Sequence, residues 1–348
     1  MERPGPDRVP SPRRARIDAL AAGGAVEPDL DAWAAGRGLA VGGWRRVFGR
    51  LQPPGSPWAV LAYEAVPGPT VRVLLHEPGA GPERAVPAGP LGLIEISTCE
   101  SDPALPGLPA VLAGLRDPAV VRYRPGNRCT VRGTAGGARF VKVMSGTDDQ
   151  VDARELWAAA RSGALSFAPP QPHGWDEPTR SSWYGVVPGG PIAAGLLGPD
   201  GASVARRIGA ALGELAVAPL HPVSTCGPAD QLARTGRALA RAAAAAPALA
   251  ERLEAAGAVL DRVHARLPER PLVPVHGAPH MHQWLVDGDG RLGLVDFDRY
   301  ARGEPELDIA TFLVELETES PRAVPMPELT AAVVAGFAAT GGELDPAR

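Results

Sequence analysis

The chain has 348 residues, a formal net charge of −4 and a sequence pI of about 6.0, so it lacks the basic balance typical of proteins that bind nucleic acid or anionic membranes. Its length suggests about two domains. Cys99, Cys129 and Cys226 are few and scattered, which argues against a disulfide framework and predicts a reducing, cytoplasmic location. We expect neither a secretory signal nor a membrane span, because no apolar run reaches the roughly 18 residues that crossing a bilayer requires.

Residues 1–17 are polar and proline-rich and predict a disordered tail, while residues 18–36 have helical spacing. β-Strands separated by Pro and Gly turns follow, and then a short helix. The predicted strands are residues 44–52, 58–66 and 70–78, and the helix lies within residues 102–115.

Residues 119–144 predict three further strands joined by glycine turns, and Lys142 lies on the third. It is the only lysine, so arginine supplies the other 34 of the 35 basic residues (35 − 1). An ammonium group and a guanidinium group are not interchangeable where a compact charge is needed. We therefore treat Lys142 as a candidate site residue, although one lysine in an arginine-rich chain can also arise by chance.

An amphipathic helix is predicted at residues 148–163 and a short strand and turn at residues 183–191. Alanine- and leucine-rich helices then dominate, interrupted by a late β-hairpin. The predicted helices are residues 191–197, 202–218, 229–244, 247–266, 306–318 and 327–339, and the late strands are residues 271–277, 283–288 and 291–298. Strands first and helices second predict an α+β fold with two unlike lobes.

The late hairpin carries the densest run of His and Asp in the chain. Its Asp-Gly turn at residues 287–290 brings the loop 276–283 alongside Asp296 and Asp298. Carboxylate and amide oxygens suit magnesium, so Asp296 and Gln283 are candidate ligands, with phosphate oxygens completing the shell. The alternative is an acidic, solvated turn. A solvated turn explains Asp287 and Asp289 well. It explains Asp296 less well, because Asp296 follows an apolar strand.

This region resembles the aminoglycoside phosphotransferase and choline kinase-like family, which shares the fold of protein kinases. The family's loop reads His-Gly-Asp, four variable residues and Asn, whereas residues 276–283 read His-Gly-Ala-Pro-His-Met-His-Gln. "VDFD" at 295–298 and "GEPELDIA" at 303–310 resemble the segments that follow, with Asp308 as the family's structural acid. The resemblance runs from about residue 116 to residue 340.

The resemblance implies a two-lobed protein kinase-like fold with an N-terminal extension. After the tail, residues 18–115 would form an extension of one helix and β-strands. Residues 116–186 would form a small β-rich lobe, and residues 187–348 a larger, mainly helical lobe that contains the loop and hairpin.

The resemblance also implies how the chain would hold ATP and Mg²⁺. Lys142 would contact nucleotide phosphates, Glu155 on the next helix would pair with it, and the turn containing Gly126 would lie over the phosphates. Glu155 could instead be a surface helix charge, and the turn an ordinary hairpin turn. Gln283 and Asp296 would hold the metal; Gln283 replaces the family's Asn and keeps its amide oxygen.

Alanine at position 278 replaces the family's catalytic Asp. General-base assistance contributes about 10²–10⁴-fold to rate, whereas phosphoryl transfer depends mainly on positioning and charge neutralisation, so the activity is expected to be slow rather than absent. His280, His282 and Asp298 are candidate replacements for the base. For the two histidines we favour plainer roles, with His280 packed beneath the loop and His282 exposed. A zinc site at these histidines lacks further ligands at suitable spacing.

The sequence thus predicts an ATP-dependent phosphotransferase, with His276 bracing its loop. The acceptor would be a hydroxyl group of a small molecule, such as a sugar or an aminoglycoside-like compound, or of a peptide. Neither nucleic acid nor a membrane is an expected partner. The alternative is a pseudokinase, a nucleotide-binding regulatory or scaffolding protein without turnover, and Ala278 is the residue that favours it.

Overall fold

The computed structural model describes residues 11–52, 57–146, 150–319 and 325–345. The chain divides into two compact units, the first comprising residues 1–147 and 176–181 and the second residues 148–175 and 182–348. This grouping differs from the predicted boundaries after residues 115 and 186. The extension and the next three strands fall into one unit, whereas the helix that follows them packs in the core of the other.

A helix, α1 (Pro12–Ala22), opens the described part of the first unit. The hydroxyl of Ser11 accepts a hydrogen bond from the Arg14 amide (3.3 Å), and proline occupies the first helical position, so this start is well capped. The prediction of a disordered tail was therefore wrong for residues 12–17. Residues 1–10 lie outside the described residues.

A second helix, α2 (Glu27–Ala35), occupies the later part of the predicted helix 18–36. The helical conformation is interrupted at Gly23 and Gly24, whose φ angles are 76° and 72°. Glycine adopts this left-handed conformation without a steric penalty, and such a conformation ends an α-helix. The prediction of one continuous helix was therefore wrong.

Both helices contribute to the core of an antiparallel sheet with the strand order β1-β2-β3-β5-β4. The strands are β1 (Trp44–Leu51), β2 (Ala59–Ala65), β3 (Thr70–His76), β4 (Val86–Pro87) and β5 (Leu93–Thr98). The predicted strands 44–52, 58–66 and 70–78 are confirmed as β1 to β3. Strand β5, which the sequence analysis missed, lies beside β3 with Ile96 opposite Val73.

The first unit also contains one short helix and an antiparallel meander. These elements are α3 (Leu108–Gly114), β6 (Arg116–Arg124), β7 (Arg128–Thr134) and β8 (Ala138–Met144). They confirm the predicted helix and strands. Val141 and Val143 are fully buried on one face of β8. Because side chains alternate along a strand, Lys142 lies on the opposite face, where it is half-buried and opposite Thr130 of β7.

The second unit is mainly helical. Its helices are α4 (Gln150–Ser162), α5 (Ala193–Leu196), α6 (Gly201–Val217), α7 (Pro228–Ala245), α8 (Ala250–His264), α9 (Glu306–Glu319) and α10 (Met326–Ala338). They confirm the seven helices predicted for this part of the chain. α6 and α10 cross closely: a Cβ at Gly209 would lie 2.0 Å from the Val333 carbonyl oxygen, and one at Gly336 1.9 Å from that of Arg206.

The remaining strands are all short, and the later ones flank the loop of interest in the second unit. They are β9 (Pro172–Asp176), β10 (Ser181–Gly185), β11 (Gly190–Pro191), β12 (Thr225–Cys226), β13 (Val273–Val275), β14 (Trp284–Val286), β15 (Leu292–Leu294) and β16 (Ala301–Gly303). β14 and β15 form the predicted hairpin, and β13 pairs with β16. The loop 276–283 runs from β13 to β14, and residues 295–300 run from β15 to β16. These two pairings therefore place the segments side by side.

No helix within the described ranges has both the length and the apolar character needed to cross a membrane. All three cysteines are buried and none forms a disulfide.

Candidate active site

The loop after β13 is held by a carboxylate from a distant helix. The backbone amides of His276 and Gly277 each donate a hydrogen bond to Asp308 of α9, at 2.7 Å. Gly277 has a φ of 80°, and a Cβ there would lie 2.3 Å from the Arg299 carbonyl oxygen. Only glycine fits without a backbone shift, so the His-Gly pair of the motif has a steric reason in this chain.

Asp308 is almost fully buried. Burial raises the pKa of its carboxyl from the usual 3.8 to about 7, against the opposing effect of the two amide donors. A carboxyl group in this position holds the loop through its two oxygens and does not face the solvent.

His276 is also fully buried. Its Nε2 lies 3.1 Å from the Val295 carbonyl oxygen, and its ring packs against Phe297 with 4.6 Å between the ring centroids. The imidazole therefore connects the loop 276–283 to the segment after β15. This geometry suits a bracing residue, and the bracing role of His276 stays a prediction.

The candidate metal ligands Gln283 and Asp296 come together. The Gln283 Nε2 lies 3.5 Å from the Asp296 Oδ2, while the Gln283 Oε1 accepts a hydrogen bond from the His280 amide at 3.2 Å. The donor set suits a hard divalent cation. The amide oxygen, however, is engaged at the start of the short 3-10 helix Met281–Gln283, so Gln283 must rotate before it can present that oxygen next to Asp296.

Asp296 has a left-handed backbone conformation, with φ 70°. Non-glycine residues in this region carry a conformational cost of about 1–3 kcal/mol and cluster at functional sites. Asp296 is half-buried, whereas Asp298, two residues further on, is exposed. The strained position is thus the candidate metal ligand and not the candidate base.

The loop offers no carboxylate at its third position, where Ala278 is half-buried. The His280 and His282 rings lie 6.0 Å apart. The exposed imidazole of His282 contacts the carboxylate of Glu319 at the end of α9, and this contact occupies its Nε2. His280 is half-buried, so of the two histidines it is the less exposed candidate base.

The other three predicted site residues lie in two different units. Lys142 and Gly126 belong to the first unit and Glu155 to the second, so their pairing stays a prediction. Glu155 lies on α4, where its carboxylate accepts hydrogen bonds from the His221 amide (2.9 Å) and faces the His221 Nδ1 (3.0 Å). The Gly126 amide donates to Asp102 at 2.7 Å.

Neither of these partners was predicted from the sequence. His221 follows the predicted helix 202–218, and Asp102 is the first residue of the segment 102–115, in which a short helix was predicted. Within the described residues no group of three or more His, Cys, Asp or Glu is placed to hold a metal ion, so the pair Gln283–Asp296 would need ligands from elsewhere.

Comparisons with known proteins identify the family. The sequence model of the phosphotransferase enzyme family APH matches residues 131–348. The matched segment contains Lys142, Glu155, the whole loop 276–283 and Asp308. It does not contain Gly126 or the N-terminal extension. A comparison with curated proteins found no match.

Several solved phosphotransferases are similar at low sequence identity. Spectinomycin phosphotransferase APH(9)-Ia, solved with ADP and spectinomycin, gives a TM-score of 0.50 at 12% identity and covers 66% of this chain and 76% of that chain. The macrolide 2'-phosphotransferase MphH of Brachybacterium faecium gives 0.45 at 19%, covering 68% and 80%. The aminoglycoside phosphotransferase APH(3'')-Id of Streptomyces rimosus gives 0.46 at 19%, covering 70% and 91%.

At these identities the solved structures speak only to the fold, and the first of them supports the predicted α+β, protein kinase-like architecture. The family match is the stronger finding, because it spans well over half of the chain and includes the complete loop motif. The chain therefore belongs to the phosphotransferase enzyme family.

Proposed function

We propose that this protein transfers the γ-phosphoryl group of ATP to a hydroxyl group of a small molecule, with Mg²⁺ as the accompanying cation. The observation that carries the proposal is the approach of Gln283 and Asp296 to 3.5 Å, beside a loop that Asp308 holds by two backbone amides. The family match supports the reaction class, since its members are phosphotransferases.

Each residue of the candidate site would have its own role in the reaction. Asp308 and His276 fix the loop, which limits the freedom of the groups that meet the acceptor. Gln283 and Asp296 would hold Mg²⁺, which when bound neutralises phosphate charge. Lys142 would add an ammonium group for the phosphates, a role for which a flexible point charge suits better than an arginine fork.

The missing carboxylate at Ala278 predicts slow turnover. In this reading the acceptor hydroxyl loses its proton to another group, and His280 and Asp298 are the candidates. Asp298 is exposed, whereas His280 is half-buried. Loss of a positioned base costs about 10²–10⁴-fold in rate, so activity remains measurable.

Membership of the family supports a broad class of acceptor, a small molecule that carries a hydroxyl group. The solved relatives are named for antibiotics, spectinomycin and macrolides among them. We therefore propose a hydroxyl-bearing metabolite or antibiotic as the first class to test and a Ser/Thr peptide as the second. The three free thiols agree with a reducing compartment such as the cytoplasm.

A second candidate function is a pseudokinase that binds nucleotide without turning it over. Ala278 is the specific observation in its favour. The approach of Gln283 to Asp296 and the left-handed φ of Asp296 argue against it, because strained backbone is retained mainly where a function depends on it.

The test combines one acceptor screen with three variants. Purified protein is incubated with ATP, Mg²⁺ and a panel of aminoglycosides, macrolides, sugars and Ser/Thr peptides, and products are detected by the mass of an added phosphate. Asp296→Asn removes the charge while tolerating a left-handed backbone, and Ala278→Asp restores the family's carboxylate. Asp289→Asn is the matched control, since Asp289 is an exposed acid in the hairpin turn.

A phosphotransferase predicts a phosphorylated acceptor with the wild type and with Asp289→Asn, and none with Asp296→Asn. Ala278→Asp should raise the rate by about 10²-fold or more if the loop has kept the geometry for a base. Nucleotide binding with no phosphorylated product from any acceptor, in the wild type and in Ala278→Asp, would instead support the pseudokinase. Absence of nucleotide binding would refute both functions.

A further inference from the structure

The Asp102 carboxylate gathers donors from two different parts of the first unit. Its Oδ1 accepts from the Arg72 guanidinium (3.3 Å) and from the Ala104 amide (3.1 Å), both in the N-terminal extension. Its Oδ2 accepts from the Tyr123 hydroxyl (2.8 Å) and from the Gly126 amide (2.7 Å), which belong to β6 and to the turn after it. A single side chain therefore links the first sheet to the β6–β7 hairpin.

Asp102 and its partner Arg72 form a buried ion pair. The side chain of Asp102 is 1% exposed and that of Arg72 9%. Burial raises the pKa of Tyr123, and the adjacent Asp102 carboxylate adds to the effect, so the phenol stays protonated and donates. Buried charges persist in proteins when they are paired and hydrogen-bonded, and removing one member leaves the others unsatisfied. Asp102 therefore has few alternative arrangements.

The turn that Asp102 holds is tight. The Asn127 amide donates to the Arg124 carbonyl oxygen at 3.0 Å, and Gly126 between them has a φ of 71°, as a turn with Pro at its second and Gly at its third position requires. Pro125 has no N–H. With the Gly126 amide bonded to Asp102, residues 125–127 have no backbone N–H left for a phosphate oxygen. The backbone of the turn can therefore act on a nucleotide only through its shape and position.

The same turn is tied to the strand that carries Lys142. The Ser145 amide donates to the Asn127 carbonyl oxygen at 2.9 Å, and Arg128, just after the turn, lies opposite Met144 of β8. Lys142 is two residues before Met144 on that strand. A shift of the turn would therefore displace the backbone next to the lysine.

We propose that Asp102 is a positioning residue through which the N-terminal extension sets the geometry of the Gly126 turn beside Lys142, and thereby the affinity for nucleotide. The inference rests on the proposed function, because it assigns Lys142 to phosphate binding. It gives the extension, which lies outside the family match at residues 131–348, a defined task.

The experiment compares Asp102→Asn and Tyr123→Phe with the control Glu100→Gln. Glu100 is an exposed acid two residues from Asp102. Asn at 102 keeps the shape and one acceptor oxygen but loses the charge, and Phe at 123 removes a single donor. Three quantities are measured on the full-length protein: the Kd for a non-hydrolysable ATP analogue with Mg²⁺, the KM for ATP against kcat, and hydrogen exchange of the turn peptide.

For Asp102→Asn we expect the nucleotide Kd and the KM for ATP to rise about tenfold, the equivalent of part of one hydrogen bond to a charged group, while kcat changes by less than about threefold. Exchange of the turn amides should accelerate. Tyr123→Phe should give a smaller change in the same direction, about threefold, and is informative if Asp102→Asn fails to fold. Glu100→Gln should match the wild type in all three measurements.

The inference is overturned if the turn amides exchange faster in Asp102→Asn or Tyr123→Phe while the nucleotide Kd stays at the wild-type value. It is also overturned if kcat falls with KM unchanged, because that pattern indicates a role in the chemical step or general damage. A wild type that binds no nucleotide refutes the proposed function and this inference with it. Wild-type binding with unchanged variants refutes the inference alone.

Discussion

Replacing Asp308 by Asn should loosen the loop that carries the candidate site. The two Asp308 oxygens each accept a backbone amide at 2.7 Å, from His276 and from Gly277. An Asn side chain has one oxygen and an NH₂ group that cannot accept, so one buried N–H loses its partner. Leaving a buried donor unsatisfied costs about 1–3 kcal/mol, and we expect the second unit to be destabilised by this amount.

The difference in stability between Asp308→Asn and the wild type should depend on pH. The folded-state pKa of Asp308, about 7, lies above its usual value of 3.8, so the native state binds this proton more tightly than the unfolded chain. The contribution of Asp308 to wild-type stability is therefore fully present below about pH 4 and declines as the pH rises towards 7, with a slope of at most about 1.4 kcal/mol per pH unit. Asn does not titrate, so the gap between variant and wild type should narrow over this range.

Hydrogen exchange followed peptide by peptide at pH 5, 6, 7 and 8 measures the effect, because it reports the free energy of opening for the second unit separately from the first. Glu317→Gln provides the matched control: it removes an exposed acid from the same helix and should leave the opening free energy unchanged. Equal stability of Asp308→Asn and wild type at pH 5, or a deficit that widens as the pH rises, would refute the reasoning.

Three further changes have defined outcomes. Gly277→Ala should lower the Tm and slow turnover, since the new Cβ would lie 2.3 Å from the Arg299 carbonyl oxygen; thermal melting beside the assay checks this, and an unchanged Tm contradicts it. Asp296→Ala should be less stable than Asp296→Asn by about 1 kcal/mol, because Asn tolerates the left-handed φ of 70° better; urea unfolding of the two variants compares them, and equal midpoints contradict it. His282→Ala should change stability by less than about 1 kcal/mol and leave kcat nearly unchanged, because the contact of His282 with Glu319 is solvent-exposed. A large loss of kcat would instead identify His282 as the missing base.

Much of the fold could be predicted from local patterns. Alternating apolar residues identified β1 to β3 and β6 to β8, and helical spacing identified α4 to α10, because these periods record which face of an element is buried. The predictions of helices were wrong where one or two specific residues determined the backbone conformation against the trend of the surrounding composition. Ser11 and Pro12 start a helix inside a proline-rich tail, and Gly23 and Gly24 break what composition suggests is one helix.

The candidate site could be predicted only in part. The loop motif identified the positions of His276, Gln283 and Asp296, since chemistry limits which residue types can serve there. Their contacts could not be read from the order of residues. The amide of Gln283 faces Asp296 with its nitrogen, and the φ of Asp296 is left-handed. Both depend on how neighbouring strands fix the chain.

The sequence by itself determined the family, the order of strands and helices, the solitary lysine and the absence of an acid at position 278. Only the tertiary structure decided that Asp308 holds the loop, that Glu155 meets His221 and that Asp102 joins the first sheet to the Gly126 turn. The physical reason is the same in each case. A buried hydrogen-bonding group must find a partner, and packing selects that partner from residues distant along the chain.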